Sequence, residues 1–205
     1  RSSDLANALA LIGGASVATG PEPRGMVIEP SGRYLYVVSA SQRVVHGYAI
    51  DPTSGALTAV PGSPFATGGI LPSGLVAHPN GRVLYVANYQ SVTGGPGNVH
   101  AWRIERATGA LMALAGSPFA VVDGNVSETV TALAIAPDGN RLYAGGNGVT
   151  SFAVASDGTL VRSGQRANVF TTALAVDATG RFLVATDLSR NAVISFKLGQ
   201  DGSMA

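Results

Sequence analysis

The sequence contains no cysteine, and this absence excludes disulfide bonds, thiolate-ligated zinc and a cysteine nucleophile. Charged residues are also scarce: they make up 12% of the 205 residues, well below the usual share in a globular protein. The formal net charge of +1 does not provide the basic field that nucleic-acid binding requires. No apolar run is long enough for a transmembrane helix, so no transmembrane segment is expected.

The low charge and the abundance of small residues favour a periplasmic or extracellular location over a cytoplasmic one. No signal peptide is visible at the start of the chain. Residues 1–4 read like the interior of a longer protein, and we therefore expect a processed or truncated chain.

A short turn recurs four times along the chain. In each copy a glycine follows a serine, asparagine, aspartate or threonine, and the four glycines are Gly32, Gly81, Gly139 and Gly180. Glycine at this place supplies the positive φ that a tight hairpin needs. The recurrence predicts a repeat protein with one hairpin in each repeat.

The residues around each turn form a cassette of four short segments. The turn lies between two apolar segments, and the third segment carries an aromatic residue at a fixed place: Tyr48, Trp102, Phe152 and Phe196. A second turn and a fourth segment complete the cassette. Short segments in this order, without helical periodicity, predict an all-β fold, a β-propeller built of four-stranded antiparallel blades. The alternative, a β-sandwich, would not explain why one cassette repeats in order.

We interpret the whole chain, residues 1–205, as a single propeller domain or a fragment of one. The blade-like repeats span about residues 22–64, 71–118, 129–165 and 170–205. In the first repeat we expect strands near residues 25–30, 33–39, 44–50 and 56–60. Residues 8–17 resemble a fourth strand and are expected to form the outer strand of a neighbouring blade, whereas the last repeat ends where its own fourth strand should run.

An open arc of four blades would expose apolar faces and an unpaired strand edge, both of which are unfavourable. Ring closure by missing blades or by a second copy removes them. The chain is then a fragment of a longer protein, which we favour, or half of an eight-bladed head-to-tail dimer. A four-bladed ring, in which residues 8–16 pair beside Ile194–Leu198 of the same chain, is the third arrangement.

Three sequence segments resemble those of a known family. They are GALTAVPGSPFATG at residues 55–68, PNGRVLYVAN at residues 79–88 and GALMALAGSPF at residues 109–119. They resemble the β-propeller lactonase family, the 6-phosphogluconolactonase-like proteins, and the related YVTN-repeat propellers. The resemblance implies a seven-bladed ring, of which these four repeats are part, and a hydrolase that acts on a sugar-type lactone.

Candidate site residues lie in the loops that join successive blades and in those that join the second and third strands of a blade, because these loops emerge on one face around the channel. The candidate catalytic carboxylates are Glu128, Asp123 and Asp187, and the candidate substrate-binding residues are Arg24, Arg166, Arg190 and Asn88. Carboxylate and amide oxygens could hold a divalent cation that activates water. Alternatively, arginines could clamp an anionic substrate while a carboxylate acts as base.

The histidines are expected to be structural. His46 and His100 share one position of the third strand, where later repeats carry Thr150 and Ile194. His78 lies at the far end of its strand from the loops described above. Two functions therefore stay open: a lactone hydrolase with a small-molecule substrate, or a non-catalytic exported or cell-surface propeller that binds a protein or glycan.

Overall fold

The computed structural model describes residues 16–122, 128–199 and 201–205, and in these ranges every regular element is a β-strand. The first sheet contains β1 Pro23–Ile28, β2 Tyr34–Ser39, β3 Val44–Ile50, β4 Leu57–Ala59 and β5 Phe65–Ala66. The second contains β6 Gly69–Ala77, β7 Val83–Ser91, β8 Asn98–Ile104, β9 Leu111–Ala113 and β10 Phe119–Ala120. The third contains β11 Val130–Ile135, β12 Arg141–Gly146, β13 Val149–Val154 and β14 Leu160–Ala167. The fourth contains β15 Leu174–Val176, β16 Phe182–Asp187 and β17 Ala192–Lys197.

Each sheet is an antiparallel meander in which the first, second and third strands pair in chain order. The first strands of neighbouring sheets, β1, β6, β11 and β15, contact one another in chain order, so the four sheets are arranged side by side as blades. This arrangement confirms the predicted all-β propeller fold. The described residues contain no helix that could span a membrane.

The fourth strand differs from the prediction in two blades. It is split into two short pieces that pair with the same third strand, β4 and β5 on β3, and β9 and β10 on β8. The Gly-Ser-Pro-Phe segment of each of these blades lies where the fourth strand is interrupted. There the hydroxyl of Ser63 accepts a hydrogen bond of 3.0 Å from the backbone N–H of Gly47, and Ser117 accepts one of 2.8 Å from Ala101. These serines satisfy N–H groups that the interrupted strand leaves unpaired.

The aromatic residues of the third strands occupy equivalent positions, as the repeat predicts. Each is the cross-strand partner of a leucine of the second strand, in the pairs Leu35–Tyr48, Leu84–Trp102, Leu142–Phe152 and Leu183–Phe196. Trp102 and Phe152 are buried in the clusters that join their blades to the blades before them. Blade contacts are therefore formed by side chains that repeat at fixed register.

The outer faces of the first and fourth blades are exposed. The inner strand β11 is largely buried, as its apolar sequence predicts, but in β1 the side chain of Met26 is 71% exposed. Val193 of β17 is also 71% exposed, and Phe182 of β16 is exposed as well. The arc is thus open in the part of the chain that the structure describes, and closure into a ring stays a prediction.

The two ends of the arc bear on the closure models. The predicted outer strand at residues 8–17 lies, except for its last two residues, outside the described part of the chain. At the other end, Met204 forms a β-bridge with Leu198. The N–H of Ala205 donates to the carbonyl of Lys197 at 3.0 Å, and the N–H of Lys197 donates to the carbonyl of Ala205 at 2.8 Å. The last blade therefore begins its own fourth strand, at the place where a four-bladed ring would put residues 8–16.

Candidate functional site

The segment that leads from the third blade to the fourth crosses the third blade near the ends of β11 and β12. The backbone N–H of Thr171 donates to the carbonyl of Gly146 at 2.8 Å, and the hydroxyl of Thr131 donates to the carbonyl of Thr171 at 3.0 Å. These bonds hold the segment against the inner part of the blade. Residues that are distant in sequence consequently meet on this face.

Glu128 and Arg166 are the two predicted site residues that meet there. A carboxylate oxygen of Glu128 accepts a hydrogen bond from the guanidinium of Arg166, and the two groups form an ion pair. The side chains are 12% and 32% exposed, so both are shielded yet reachable from solvent. The carbonyl of Glu128 also accepts a 2.8 Å bond from the N–H of Gly97 in the second blade. The pair is therefore held at a junction of two blades.

The short hairpin between β12 and β13 makes room for this pair. Only Asn147 and Gly148 separate the two strands, and the N–H of Gly146 bonds the carbonyl of Gly148 at 3.0 Å. A Cβ atom added to Gly148 would overlap the guanidinium of Arg166. Beside the pair, the hydroxyl of Thr129 donates to Oδ1 of Asn147 at 3.0 Å. Gly148 and Thr129 were not among the predicted site residues, and the glycine-rich run at residues 145–148 is the signal that could have found Gly148.

Asp187 and Arg190, two further predicted site residues, form an ion pair with each other. Nη1 of Arg190 lies 2.5 Å from Oδ2 of Asp187, and the other carboxylate oxygen accepts the backbone N–H of Ser189 at 2.9 Å. The Arg190 hydrogen bond lowers the pKa of the Asp187 carboxyl. The aspartate thus caps the β16–β17 loop, a common role for this residue type.

Asn88 lies inside β7, and not in the loop that the sequence predicted. Its side chain is fully buried, and Nδ2 donates to the carbonyl of Thr67 at 3.0 Å and to Oδ1 of Asn98 at 2.8 Å. The loop begins only after Ser91. The amide therefore bonds the segment that enters the second blade, and its donor atoms do not face solvent.

Arg24 is not brought to the Glu128–Arg166 pair. Arg24 is exposed in β1 and forms no ion pair within the described residues. Asp123 lies outside the described residues. No group of three or more histidine, aspartate or glutamate side chains is suitably placed for a metal ion in residues 16–122, 128–199 and 201–205.

The histidine of the second blade is a buried packing residue, as expected. Nδ1 of His100 lies 2.6 Å from the carbonyl oxygen of Thr67, and the imidazole stacks on Trp102 with ring centroids 4.0 Å apart. In the third blade the hydroxyl of Thr150 bonds the carbonyl of Val121 in the same way. Burial lowers the pKa of His100, despite its hydrogen bond to Thr67.

His78 lies on the opposite side of the blades, as the sequence predicted. Its Nδ1 atom accepts the backbone N–H of Asn80 at 3.1 Å, and Nε2 is 3.1 Å from the carbonyl of Gly139 in the next blade. The imidazole thus joins two turns of neighbouring repeats.

Residues 6–69 match the family model described as "Lactonase, 7-bladed beta-propeller". No curated protein matches the sequence. Among solved structures, the chain is similar to candidate 6-phosphogluconolactonases from Bacteroides uniformis and Bacteroides fragilis. The first is 21% identical with a TM-score of 0.75, covering 90% of this chain and 53% of that one, and the second is 24% identical with a TM-score of 0.73, covering 91% and 54%. A third similar structure is the periplasmic gluconolactonase of Pseudomonas aeruginosa, at 21% identity and a TM-score of 0.75, covering 89% and 52%.

The chain thus spans about half the length of the solved structures that it matches. At these identities the likeness establishes the fold and not the chemistry. The family match at residues 6–69 covers the first repeat and agrees with the four repeated blades. By its fold the chain is a β-propeller, and over its first repeat it is similar to the lactonase family.

Proposed function

We propose that the complete propeller hydrolyses a sugar-type lactone on the face that carries Glu128 and Arg166. The observation that carries the proposal is the partly buried contact between this carboxylate and this guanidinium at a blade junction. The match to a lactonase family over residues 6–69 supports the substrate class, as does the similarity to a gluconolactonase.

The two side chains suit the two needs of ester hydrolysis. Glu128 accepts a proton from a water molecule as its oxygen attacks the carbonyl carbon of the lactone. Arg166 donates hydrogen bonds to the carbonyl oxygen, on which negative charge develops. The bond between the carbonyl carbon and the ring oxygen then breaks, the ring oxygen takes the proton, and the product is an open-chain hydroxy acid.

A divalent cation is a further part of the proposal, because lactone hydrolysis gains from a Lewis acid on the carbonyl oxygen. Asp123 is the other carboxylate proposed for this face, and Arg24 is a proposed substrate ligand. Assays with added Mg²⁺ or Ca²⁺ and with a chelator test this part. Activity that is unchanged by chelation would assign the chemistry to Glu128 and Arg166 alone.

The decisive experiment is a panel of sugar lactones assayed with the complete, folded protein. Glu128→Gln is expected to lower kcat at least about 100-fold, because the amide cannot accept the proton. Arg166→Lys keeps the charge but loses the forked geometry, and should lower kcat less. Glu105→Gln, an exposed change in the β8–β9 turn, is the matched control and should leave kcat unchanged.

If the complete protein hydrolyses none of the lactones, the proposal is wrong. A non-catalytic propeller that binds a protein or glycan is then the better explanation. If Glu128→Gln and Glu105→Gln retain equal activity, the protein is still a lactone hydrolase, but Glu128 is not its catalytic base.

A further inference from the structure

A cleft of about 310 Å³ lies between the first two blades, beside the β1–β2 and β6–β7 turns. These turns are at the opposite ends of the strands from the hairpin loops near Glu128. The cleft is lined by Glu29, Ser31, Arg33, Asn80, Gly81, Ile104 and Arg106, among others. It is a concave surface formed by two repeats, and neither blade could form it alone.

The guanidinium of Arg33 is fixed in this cleft. Its Nη2 atom donates to the carbonyl of Arg106 at 2.7 Å, and its Nε atom donates to the hydroxyl of Ser31 at 3.2 Å. The same group lies over the ring of Tyr34, 5.3 Å from its centroid. The guanidinium is therefore pre-oriented, and a ligand would not have to immobilise it.

Two more arginines lie next to the cleft. A shallow depression of about 210 Å³ is lined by Arg82, Arg103, Ile104, Glu105 and Arg106, and it shares Ile104 and Arg106 with the cleft. Arg82, Arg103 and Arg106 are exposed and make no ion pair within the ranges that the structure describes. Four guanidiniums thus gather in one region of a chain with few charged residues.

The nearby carboxylates do not neutralise this charge. Glu29 is buried, and its oxygens accept hydrogen bonds from the backbone N–H groups of Ser31 at 2.8 Å, Arg33 at 3.0 Å and Tyr34 at 3.3 Å. It caps its own turn and does not pair with a guanidinium in any of these bonds. Glu105 is the other carboxylate that lines the region. The positive charge is in excess by two, counting four arginines against two glutamates.

We propose that this cleft is a binding site for the phosphate group of a small molecule. Guanidiniums bind phosphate through paired N–H···O bonds, and clustered arginines with one sign of charge raise the local concentration of anions. Arg33 supplies an oriented donor group, and Arg106, whose carbonyl accepts the Arg33 bond, also lines the cleft. The site goes beyond the proposed lactone chemistry, because it lies on the other face and uses none of the same residues.

The chain contains a matched comparison. A cleft of about 380 Å³ occupies the equivalent place between the third and fourth blades. Like the first cleft it is lined by two arginines and one carboxylate, here Arg141, Arg181 and Asp138, whereas the first cleft also adjoins Arg82 and Arg103. Nε of Arg181 donates to the hydroxyl of Thr179 at 2.9 Å, much as Arg33 bonds Ser31. We expect this second cleft to bind phosphate far more weakly.

The test is a titration of the full protein with inorganic phosphate at constant ionic strength, followed by amide NMR shifts. Saturable shifts are expected at Ser31, Asn80 and Gly81, and not at the equivalent turn residues Thr179 and Gly180. Arg106→Gln should weaken binding at least about 10-fold, because it removes a charged hydrogen-bond donor. Arg181→Gln is the control and should leave the affinity unchanged.

Acetate at the same ionic strength separates phosphate from carboxylate recognition: equal affinity would mean that the cleft takes any oxyanion. Shifts that do not saturate, or an equal effect of Arg106→Gln and Arg181→Gln, would overturn the proposal. Lactone hydrolysis should be unaffected by Arg106→Gln. Failure of this site therefore leaves the Glu128–Arg166 proposal untouched, and the reverse is also true.

Discussion

The hydroxyl group of Tyr85 donates a 2.8 Å hydrogen bond to the carbonyl oxygen of Gly158 in the next blade. Tyr36 makes the same bond, also at 2.8 Å, to Gly109, and in both pairs the residues are 73 positions apart. Both tyrosines are fully buried. The second strand of one blade is thus fastened to the outer turn of the next by a bond that recurs along the chain.

Tyr85→Phe should lower the free energy of unfolding by about 1–2 kcal/mol, because the carbonyl of Gly158 loses its partner in a buried place. Denaturant unfolding of the wild type and the variant measures the difference. The control is Tyr89→Phe, which removes a hydroxyl from an exposed ring that makes no side-chain hydrogen bond within the described residues. Equal losses in the two variants would show that the bond across the blades adds no stability.

Gly148→Ala tests the Glu128–Arg166 contact without changing either residue. The added methyl group would displace the end of a flexible arginine side chain, so we expect a loss of stability of less than about 1 kcal/mol. The ion pair should nevertheless open, and lactone hydrolysis should fall. The control is Gly95→Ala in the corresponding loop of the second blade, where a Cβ atom would make ordinary contacts at 3.6 Å or more. Unaltered hydrolysis by Gly148→Ala would argue that the contact is not needed for activity.

Acid should destabilise the fold through His46 and His100. Burial lowers the pKa of His46, and it lowers the pKa of His100 despite a bond to Thr67. The unfolded chain then binds more protons than the folded one, so the free energy of unfolding falls as the pH drops below about 6.5. Each histidine contributes at most about 1.4 kcal/mol per pH unit.

His100→Thr provides the check on this pH dependence. Thr150 already fills the equivalent place in the third blade and bonds the carbonyl of Val121. The variant should therefore fold, and its stability should change less between neutral and mildly acidic pH. His78→Thr is the control, because that imidazole is half-buried in a turn. A pH dependence identical to the wild type in His100→Thr would contradict the assignment.

The carboxyl of Asp177 should titrate at an unusually low pH. Its hydrogen bond with the hydroxyl of Thr179, aided by the backbone N–H of Phe182 at 2.7 Å, lowers the pKa to about 2. The stabilisation is present above the ordinary aspartate pKa and is lost as the pH falls through about 2. NMR titration of the carboxyl measures this value directly. Thr179→Ala should raise it, whereas Thr172→Ala should leave it unchanged.

The repeated turns and the alternating segments were sufficient to predict the blades, because hairpin glycines and cross-strand pairs are local features. The strands of the first blade end within two residues of the predicted bounds. The interrupted fourth strand was not predicted. The same Ser–Pro–Phe run that identified the family resemblance also breaks the strand, and the hydroxyl that makes this tolerable bonds a residue 16 positions away.

The site was harder to predict than the fold. Glu128 and Arg166 were both named, but their contact joins residues 38 positions apart and depends on the length of an intervening hairpin. Asn88 was placed in a loop because the second strand was expected to end at Ala87, although β7 continues to Ser91. Asp187 was expected to face a ligand, yet the nearest cation and N–H groups are those of its own loop.

The two ends of the blades differ in how much variation they accommodate. The turns at one end all use a glycine with φ between 69° and 77°, whereas the hairpins at the other end range from the two residues 147–148 to the six residues 92–97. A Cβ atom added to Gly94 would have no neighbour within 4 Å. The scaffold could therefore display a foreign peptide between Gly94 and Gly95 while its blades keep their register, which makes this loop an entry point for epitope grafting or for a fluorescent reporter.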